Sequence, residues 1–278
     1  MVITYSVGMS VADVWSEPAD GSERVTQALL NTAVTYIEEI NGWARVKLPD
    51  YEGWMHMEDL GEVPVKGYTR LSACCGTPLD LVVIVKSLRA PLYNDAIGDE
   101  QVGEVYLSTA LPLADMTQPE RLQLALPDQD SAWIARRDVR IRRTTERPRE
   151  SMHTITTYAR QMLDVPYLWG GVTPQGLDCS GFVQLCYRMG GYALPRDAWQ
   201  QHTALARSIT REEMREGDLI FFGRENITHV GMALNEREYI HAEGQRYGRV
   251  LINSLVRDEP GYDERLAQMV RDFKRVVS

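Results

Sequence analysis

The chain has 278 residues, of which 44% are hydrophobic and 25% are charged, as is typical of folded domains with substantial cores. Its 39 acidic residues outnumber the 30 basic ones, and the net charge of -9 disfavours nucleic acid as a partner. No stretch approaches the roughly 18 apolar residues that span a bilayer, and the N-terminus lacks the basic and apolar segments of an export signal. We therefore expect no membrane partner and a cytoplasmic location, unless a leader was removed from an exported protein; the oligomeric state stays open.

Residues 1–62 are predicted to form a small all-β domain. Asn41-Gly42 is typical of a tight hairpin turn, because both residues tolerate a positive φ. Side chains alternate in polarity along 43–48, as they do in a half-buried strand. The turn sequences separate three apolar stretches that indicate strands, at 11–15, 34–40 and 43–48.

An internal repeat predicts a second β domain over residues 79–142. The segment 54–60 consists of Trp, an apolar residue, three variable residues, Asp and an apolar residue, and the same pattern recurs 79 residues later at 133–139. We expect three tryptophans to lie in the cores of the two domains: Trp43, Trp54 and Trp133.

Two segments are predicted to connect domains. Residues 63–78 join the two β domains and contain the pair Cys74-Cys75, to which no chemistry is assigned. Residues 143–150 form a basic linker, and a charge run of this kind is typical of a solvated surface.

Residues 151–278 are predicted to form an α+β domain, since helical patterns come first and strand patterns follow. One helix is expected over 155–163, a second from Asp178 or Cys179 to Gly190, and a third after Pro195. The strands are expected at 218–222, 229–234, 239–242 and 250–253.

Cys179 is the candidate nucleophile because it opens a predicted helix. Unpaired N–H groups and the helix dipole stabilise negative charge at that position, so we expect a thiolate near neutral pH, with Asp178 as the N-cap. A cysteine nucleophile needs a base, and the base needs a group that orients it. His229 and His241 can fill these two roles. A zinc site made from the same three side chains is disfavoured, since the paired-ligand spacing is missing, and we expect no metal or cofactor.

The two histidines set a condition on the hairpin between 229–234 and 239–242. Paired residues of an antiparallel hairpin have a constant sum of positions, and both imidazoles share one face only if that sum is even. An odd-length loop within 235–238, or a bulge, is therefore predicted.

Four motifs in this domain resemble the NlpC/p60 family of papain-like cysteine peptidases, which act on cell-wall peptides. The resemblance implies a papain-like fold with Cys179 as nucleophile, His229 as base, His241 as orienting group and Tyr167 as an oxyanion-stabilising hydroxyl. The two β domains resemble bacterial SH3-like barrels. The motifs are YLWGG at 167–171, GLDCSGFV at 176–183, GDLIFF at 217–222 and HVGM at 229–232.

Two SH3-like barrels before such a domain resemble the γ-D-glutamyl-L-diamino acid endopeptidases. The resemblance implies that Asp178, Ser180 and Tyr51 bind the amino end of a murein peptide. The chain departs from the family pattern twice. Ala198 stands where the family has a serine, and Val25 stands where a carboxylate is expected, with Glu17 or Glu23 as replacements.

The expected function is therefore cleavage of the bond between γ-D-glutamate and a diamino acid in murein peptides that carry a free N-terminal L-Ala. The preferred diamino acid is not set by the sequence. Two alternatives stay open: a papain-like amidase or acyltransferase acting on cell-wall material, and a wall-binding protein whose third domain is inactive.

Overall fold

The computed structural model describes residues 3–64, 81–146 and 148–276. They form two compact units, one within Met1–Glu146 and one within Arg147–Ser278. Cys74, Cys75 and most of the predicted connector lie outside the described residues, and the predicted domain bounds stay predictions. In the described part of the chain, every helix is too short or too polar to cross a membrane.

The first unit begins with a seven-stranded antiparallel sheet in the order β3-β2-β6-β5-β4-β1-β7. Asn41 and Gly42 have φ of 50° and 83°, so they form the tight turn predicted between β4 and β5. The strands are β1 (Ile3–Val7), β2 (Val11–Trp15), β3 (Arg24–Leu29), β4 (Ala33–Ile40), β5 (Trp43–Lys47), β6 (Glu52–His56) and β7 (Leu60–Gly61).

A second seven-stranded sheet follows in the order β10-β9-β13-β12-β11-β8-β14, which is the strand order of the first sheet. Trp54 and Trp133 occupy equivalent strands, and a short 3-10 helix follows each strand. The repeat predicted from the sequence therefore corresponds to two sheets with the same strand order. The strands are β8 (Leu81–Val85), β9 (Arg89–Tyr93), β10 (Gln101–Tyr106), β11 (Ala110–Asp115), β12 (Arg121–Ala125), β13 (Ser131–Ala135) and β14 (Val139–Arg143).

The expectation that all three tryptophans are core residues is wrong for two of them. Trp43 is buried, whereas Trp54 and Trp133 are only half-buried. Side chains alternate along a strand, and Met55 and Ile134 take the inward positions next to the two tryptophans. The core residues of the repeat are thus the apolar residues that follow the tryptophans.

Among its described residues, the second unit combines four α-helices with a six-stranded antiparallel sheet in the order β17-β22-β18-β19-β20-β21, which confirms the predicted fold class. The helices are α1 (Met152–Gln161), α2 (Cys179–Met189), α3 (Ala198–Ala204) and α4 (Glu264–Ala267). The strands are β15 (Val172–Thr173), β16 (Gly176–Leu177), β17 (Ser208–Ile209), β18 (Leu219–Phe222), β19 (His229–Ala233), β20 (Glu238–Glu243), β21 (Arg249–Ser254) and β22 (Val270–Lys274).

Candidate active site

The helix α2 begins at Cys179, as the sequence predicts. Asp178 is its N-cap, and the side-chain Oδ1 accepts the backbone N–H of Gly181 at 2.7 Å. An added Cβ at Gly181 would lie 2.3 Å from the carbonyl oxygen of Gly171, so the helix can approach this loop only with glycine there. Cys179, the candidate nucleophile, therefore lies on the first turn of a helix that is buried along nearly its whole length.

Burial is the main influence on the protonation of Cys179, which is only 7% exposed. Loss of solvent, followed by the negative charge of Asp178, raises the pKa of this thiol to about 12. Hydrogen bonds from the backbone N–H groups of Val230 and Ser180 lower the pKa of the thiol, but their effect is smaller than that of burial. Desolvation therefore acts against the expected thiolate and outweighs the stabilisation of negative charge at the helix N-terminus.

The two histidines meet as the register argument requires. Met232 pairs with Ile240 and Ala233 with Tyr239, so the register sum is even. The Leu234 N–H also donates to the carbonyl oxygen of Glu238 at 2.9 Å, which leaves the three residues 235–237 as the loop. His229 Nε2 lies 2.7 Å from His241 Nδ1. The predicted odd-length loop and shared face are confirmed.

Both imidazoles are held neutral by their surroundings. Burial, followed by the nearby His241 and Arg265, lowers the pKa of His229 well below its ordinary value of 6.5. Burial is also the largest cause that lowers the pKa of His241, to about 4. A neutral His229 can accept a proton, as a general base must.

Asn253 on β21 is a member of this site that the sequence analysis missed. Its Oδ1 lies 2.8 Å from His241 Nε2, and both residues are buried. Its Nδ2 donates to the carbonyl oxygen of Gly261. No local signal marks Asn253, because the contact depends on the pairing of β20 with β21.

The Tyr167 ring has room at the site because the residue packed against it, Gly244, has no side chain. An added Cβ at Gly244 would lie 2.6 Å from two carbon atoms of the Tyr167 ring. Burial, followed by the charges of Cys179 and Asp178, raises the pKa of the Tyr167 hydroxyl above its ordinary value. The hydroxyl therefore keeps its proton and can donate a hydrogen bond to an oxyanion.

Asp178 and Ser180 belong to a closed polar network. The Asp178 carboxylate accepts from Arg196 at 2.5 and 3.0 Å and from the backbone N–H of Gly170 at 3.0 Å. Ser180 Oγ donates to it at 3.3 Å, and Gln201 donates to the Ser180 carbonyl oxygen at 3.0 Å. The donors from Arg196, Gly170 and Ser180, together with the Gly181 N–H, occupy the lone pairs of the Asp178 carboxylate.

The other predicted positions lie in the first unit, except for Ala198. Tyr51 is half-buried against the core of the first sheet, as is Val25. Glu17 and Glu23 are exposed in the same unit. Ala198, the first residue of α3, is buried. In the described part of the chain, no cluster of three or more His, Cys, Asp or Glu side chains could hold a metal ion.

Comparison with known proteins places two segments in described families. Residues 164–271 match the NlpC/P60 family, and residues 14–60 match the bacterial dipeptidyl-peptidase Sh3 domain. These matches confirm the resemblance drawn from the motifs.

Two curated relatives span most of the chain. A gamma-D-glutamyl-L-lysine dipeptidyl-peptidase from Bacillus cereus is 27% identical over 256 residues, which is 87% of this chain and 73% of the relative. Dipeptidyl-peptidase 6 from Lysinibacillus sphaericus is 25% identical over 292 residues, which is 94% of each chain. The crystal structure of an NlpC/P60 family protein from Bacillus cereus has a TM-score of 0.81 at 23% identity, covering 98% of this chain and 99% of that one. This last likeness shows a shared fold.

Proposed function

We propose that this chain, whose C-terminal domain belongs to the NlpC/P60 family of cysteine peptidases, hydrolyses the bond between γ-D-glutamate and a diamino acid in murein peptides. The observation that carries the proposal is the 2.7 Å contact between His229 and His241, in the domain where Cys179 opens a buried helix. The name of the Bacillus cereus relative supports the choice of bond. The SH3 domain of the bacterial dipeptidyl-peptidase type at 14–60 supports the same subgroup.

The reaction begins with a neutral thiol and a neutral imidazole. His229 Nδ1 takes the proton as Cys179 Sγ bonds to the γ-carbonyl carbon, since a thiol with a raised pKa needs a base at the moment of attack. The carbonyl π electrons move to its oxygen. As they return, the C–N bond breaks and His229 gives its proton to the leaving amine. Water then attacks the thioester carbonyl carbon as His229 takes a proton from it; the C–S bond breaks, and His229 returns the proton to Cys179 Sγ.

Two donors can stabilise the oxyanion in this mechanism. The backbone N–H of Cys179 lies in the first turn of α2, where a helix offers no internal acceptor. The Tyr167 hydroxyl keeps its proton because burial raises its pKa. Preorganised donors of this kind lower the barrier because they need no reorganisation as charge develops.

Recognition of a free N-terminal amine is the finer part of the proposal. The resemblance assigns it to Asp178, Ser180 and Tyr51. The geometry gives Asp178 a competing task, because its carboxylate already pairs with Arg196 and caps α2. Ala198 offers no hydroxyl, so it removes one expected partner of the amine.

Hydrolysis of L-Ala-γ-D-Glu-L-Lys, followed by mass spectrometry, tests the proposed bond. We expect L-Ala-D-Glu and free lysine from the parent and no products from Cys179→Ala. A tripeptide that stays intact with the parent would contradict the proposal. Transfer to an added amine instead of water would support the acyltransferase alternative, and binding to cell walls without any cleavage would support the wall-binding alternative.

The N-acetylated tripeptide tests amine recognition separately. Loss of a charge-assisted hydrogen bond costs about 1.5 to 3 kcal/mol, so acetylation should lower kcat/KM by roughly tenfold to a hundredfold. Tyr51→Phe should reduce this preference if Tyr51 contributes. Equal cleavage of both peptides would contradict amine recognition while leaving the bond assignment intact. The cytoplasmic location remains a proposal, and fractionation of the producing cells would test it.

A further inference from the structure

The side chain of Asn253 has one possible orientation. Its Nδ2 donates to the carbonyl oxygen of Gly261, which also accepts the backbone N–H of Ser254 at 3.1 Å. A carbonyl oxygen can only accept, so the amide nitrogen must face Gly261 and the amide oxygen must face His241. Gly261 has a φ of 79°, a conformation that favours glycine.

This orientation determines which nitrogen of each imidazole carries hydrogen. The Oδ1 of Asn253 can only accept, so His241 Nε2 must be the protonated nitrogen across their 2.8 Å contact. A neutral His241 then has a bare Nδ1, which can only accept. His229 Nε2 must therefore carry the hydrogen in the 2.7 Å contact between the rings. The nitrogen left with a free lone pair is His229 Nδ1.

We propose that Asn253 is a positioning residue that sets the tautomer of His241 and, through it, leaves His229 Nδ1 free to act as the base. The kinetic part of this inference rests on the proposed function. The tautomers themselves do not, because they can be observed without substrate.

Charged groups around His241 come from several elements. Glu243 lies on the same strand, and Asp263 and Arg265 lie at the start of α4. The two carboxylates favour protonation of His241, whereas Arg265 opposes it. Two further ionisable neighbours face His241: His229 on β19, with which it shares a hydrogen bond, and Tyr239 on β20, whose ring centroid lies 4.9 Å from that of the imidazole.

Asn253→Ala removes the acceptor and leaves the tautomer of His241 unspecified. With L-Ala-γ-D-Glu-L-Lys as substrate, we expect kcat to fall about 3- to 10-fold with KM unchanged, which corresponds to the loss of one hydrogen bond. Nitrogen-15 NMR of histidine-labelled protein should show His241 losing its preference for hydrogen on Nε2. An unchanged kcat, or an unchanged tautomer, would overturn the proposal.

Asn253→Asp keeps an acceptor beside His241 but gives it a negative charge, in a side chain of nearly the same volume. A carboxylate beside His241 Nε2 favours the imidazolium, whose Nδ1–H would donate to His229 and force hydrogen onto His229 Nδ1. Activity should then fall at neutral pH and return as the pH rises. The acid limb of kcat/KM should move up by about one pH unit or more. If the acid limb of kcat/KM does not move in Asn253→Asp, the proposal is overturned. This test remains decisive even if Asn253→Ala does not fold.

Ser254→Ala is the matched control. The Ser254 hydroxyl binds Glu259 at 2.7 Å and the backbone N–H of Val256 at 3.0 Å, so this change loosens the same loop without touching a histidine. We expect lower stability with unchanged tautomers and an unchanged pH profile. The same shift in Ser254→Ala and Asn253→Asp would make the effect structural and overturn the proposal. If the parent shows the assigned tautomers but cleaves no tripeptide, the proposed function fails and the tautomer assignment stands.

Discussion

Arg196 and Asp178 form a buried ion pair at the start of α2, the helix that begins at Cys179. Arg196 Nη2 lies 2.5 Å from Asp178 Oδ2, and Nη1 lies 3.0 Å from Oδ1, with Arg196 1% exposed. The guanidinium lowers the pKa of the Cys179 thiol, whereas the carboxylate raises it. Asp178 thus caps α2, and the positive charge of Arg196 offsets part of the rise that the carboxylate causes in the pKa of Cys179.

Removing Arg196 should destabilise the second unit strongly. Arg196→Met leaves a buried carboxylate without its partner, which costs about 3 to 5 kcal/mol. Urea unfolding followed by fluorescence measures the loss. Arg257→Met is the matched control, because Arg257 pairs with Glu264 on the surface and should change stability little. Equal losses in the two variants would show that the buried pair contributes no more than an exposed one.

Cys179→Ala should abolish cleavage without unfolding the protein. Alanine keeps the start of α2 intact, and the reaction loses its only proposed nucleophile. Cys186→Ala is the control in the same helix, since Cys186 is fully buried and belongs to the packed interior. We expect that variant to keep its activity at some cost in stability. Steady-state kinetics and thermal melting separate the two effects, and cleavage by Cys179→Ala would refute the assignment.

The activity should persist to lower pH than an ordinary histidine base allows. In the proposed mechanism neutral His229 is the active form, and burial with the neighbouring His241 and Arg265 lowers its pKa well below 6.5. As the pH falls, activity is therefore lost only when this lowered pKa is reached. A kcat/KM profile of the free enzyme measures it. An acid limb centred at 6.5 or higher would contradict the prediction.

Arg265→Gln provides an internal check on that profile. Arg265 lowers the pKa of both histidines by its positive charge, and it pairs with Glu243 at 2.8 Å. Removing the charge and freeing the carboxylate should raise both pKa values, so the acid limb should move to higher pH. A limb that stays in place would mean that burial and His241 determine the pKa of His229 without a contribution from Arg265.

Gly244→Ala should reduce activity by displacing Tyr167. The added methyl group would lie 2.6 Å from ring carbons, closer than any normal contact, so the ring must move. We expect kcat to fall by about tenfold to a hundredfold, as in Tyr167→Phe, because one oxyanion donor is lost in both. At Gly103 an added Cβ meets nothing within 4 Å, so Gly103→Ala should behave as the parent. Full activity of Gly244→Ala would argue against a role for Tyr167.

Much of the site could be predicted because its signals are local. A capping Asp178 followed by Cys179 marks a helix start within a few residues of chain. The parity of a hairpin register follows from strand alternation, which brought His229 and His241 to one face. The internal repeat at Trp54 and Trp133 likewise marked equivalent strands of two sheets with one strand order.

Only the tertiary structure decided what surrounds these residues. Asn253 and Arg196 reach the site through strand pairing and helix packing, and neither lies next to its partner in sequence. Burial raised the pKa of Cys179 against the tendency of the helix N-terminus, because desolvation depends on every segment that covers the sulfur. Helix caps and hydrophobic periodicity depend on a few neighbouring residues, so they can be predicted from the sequence. Desolvation and long-range pairing arise only when distant segments pack together and exclude water.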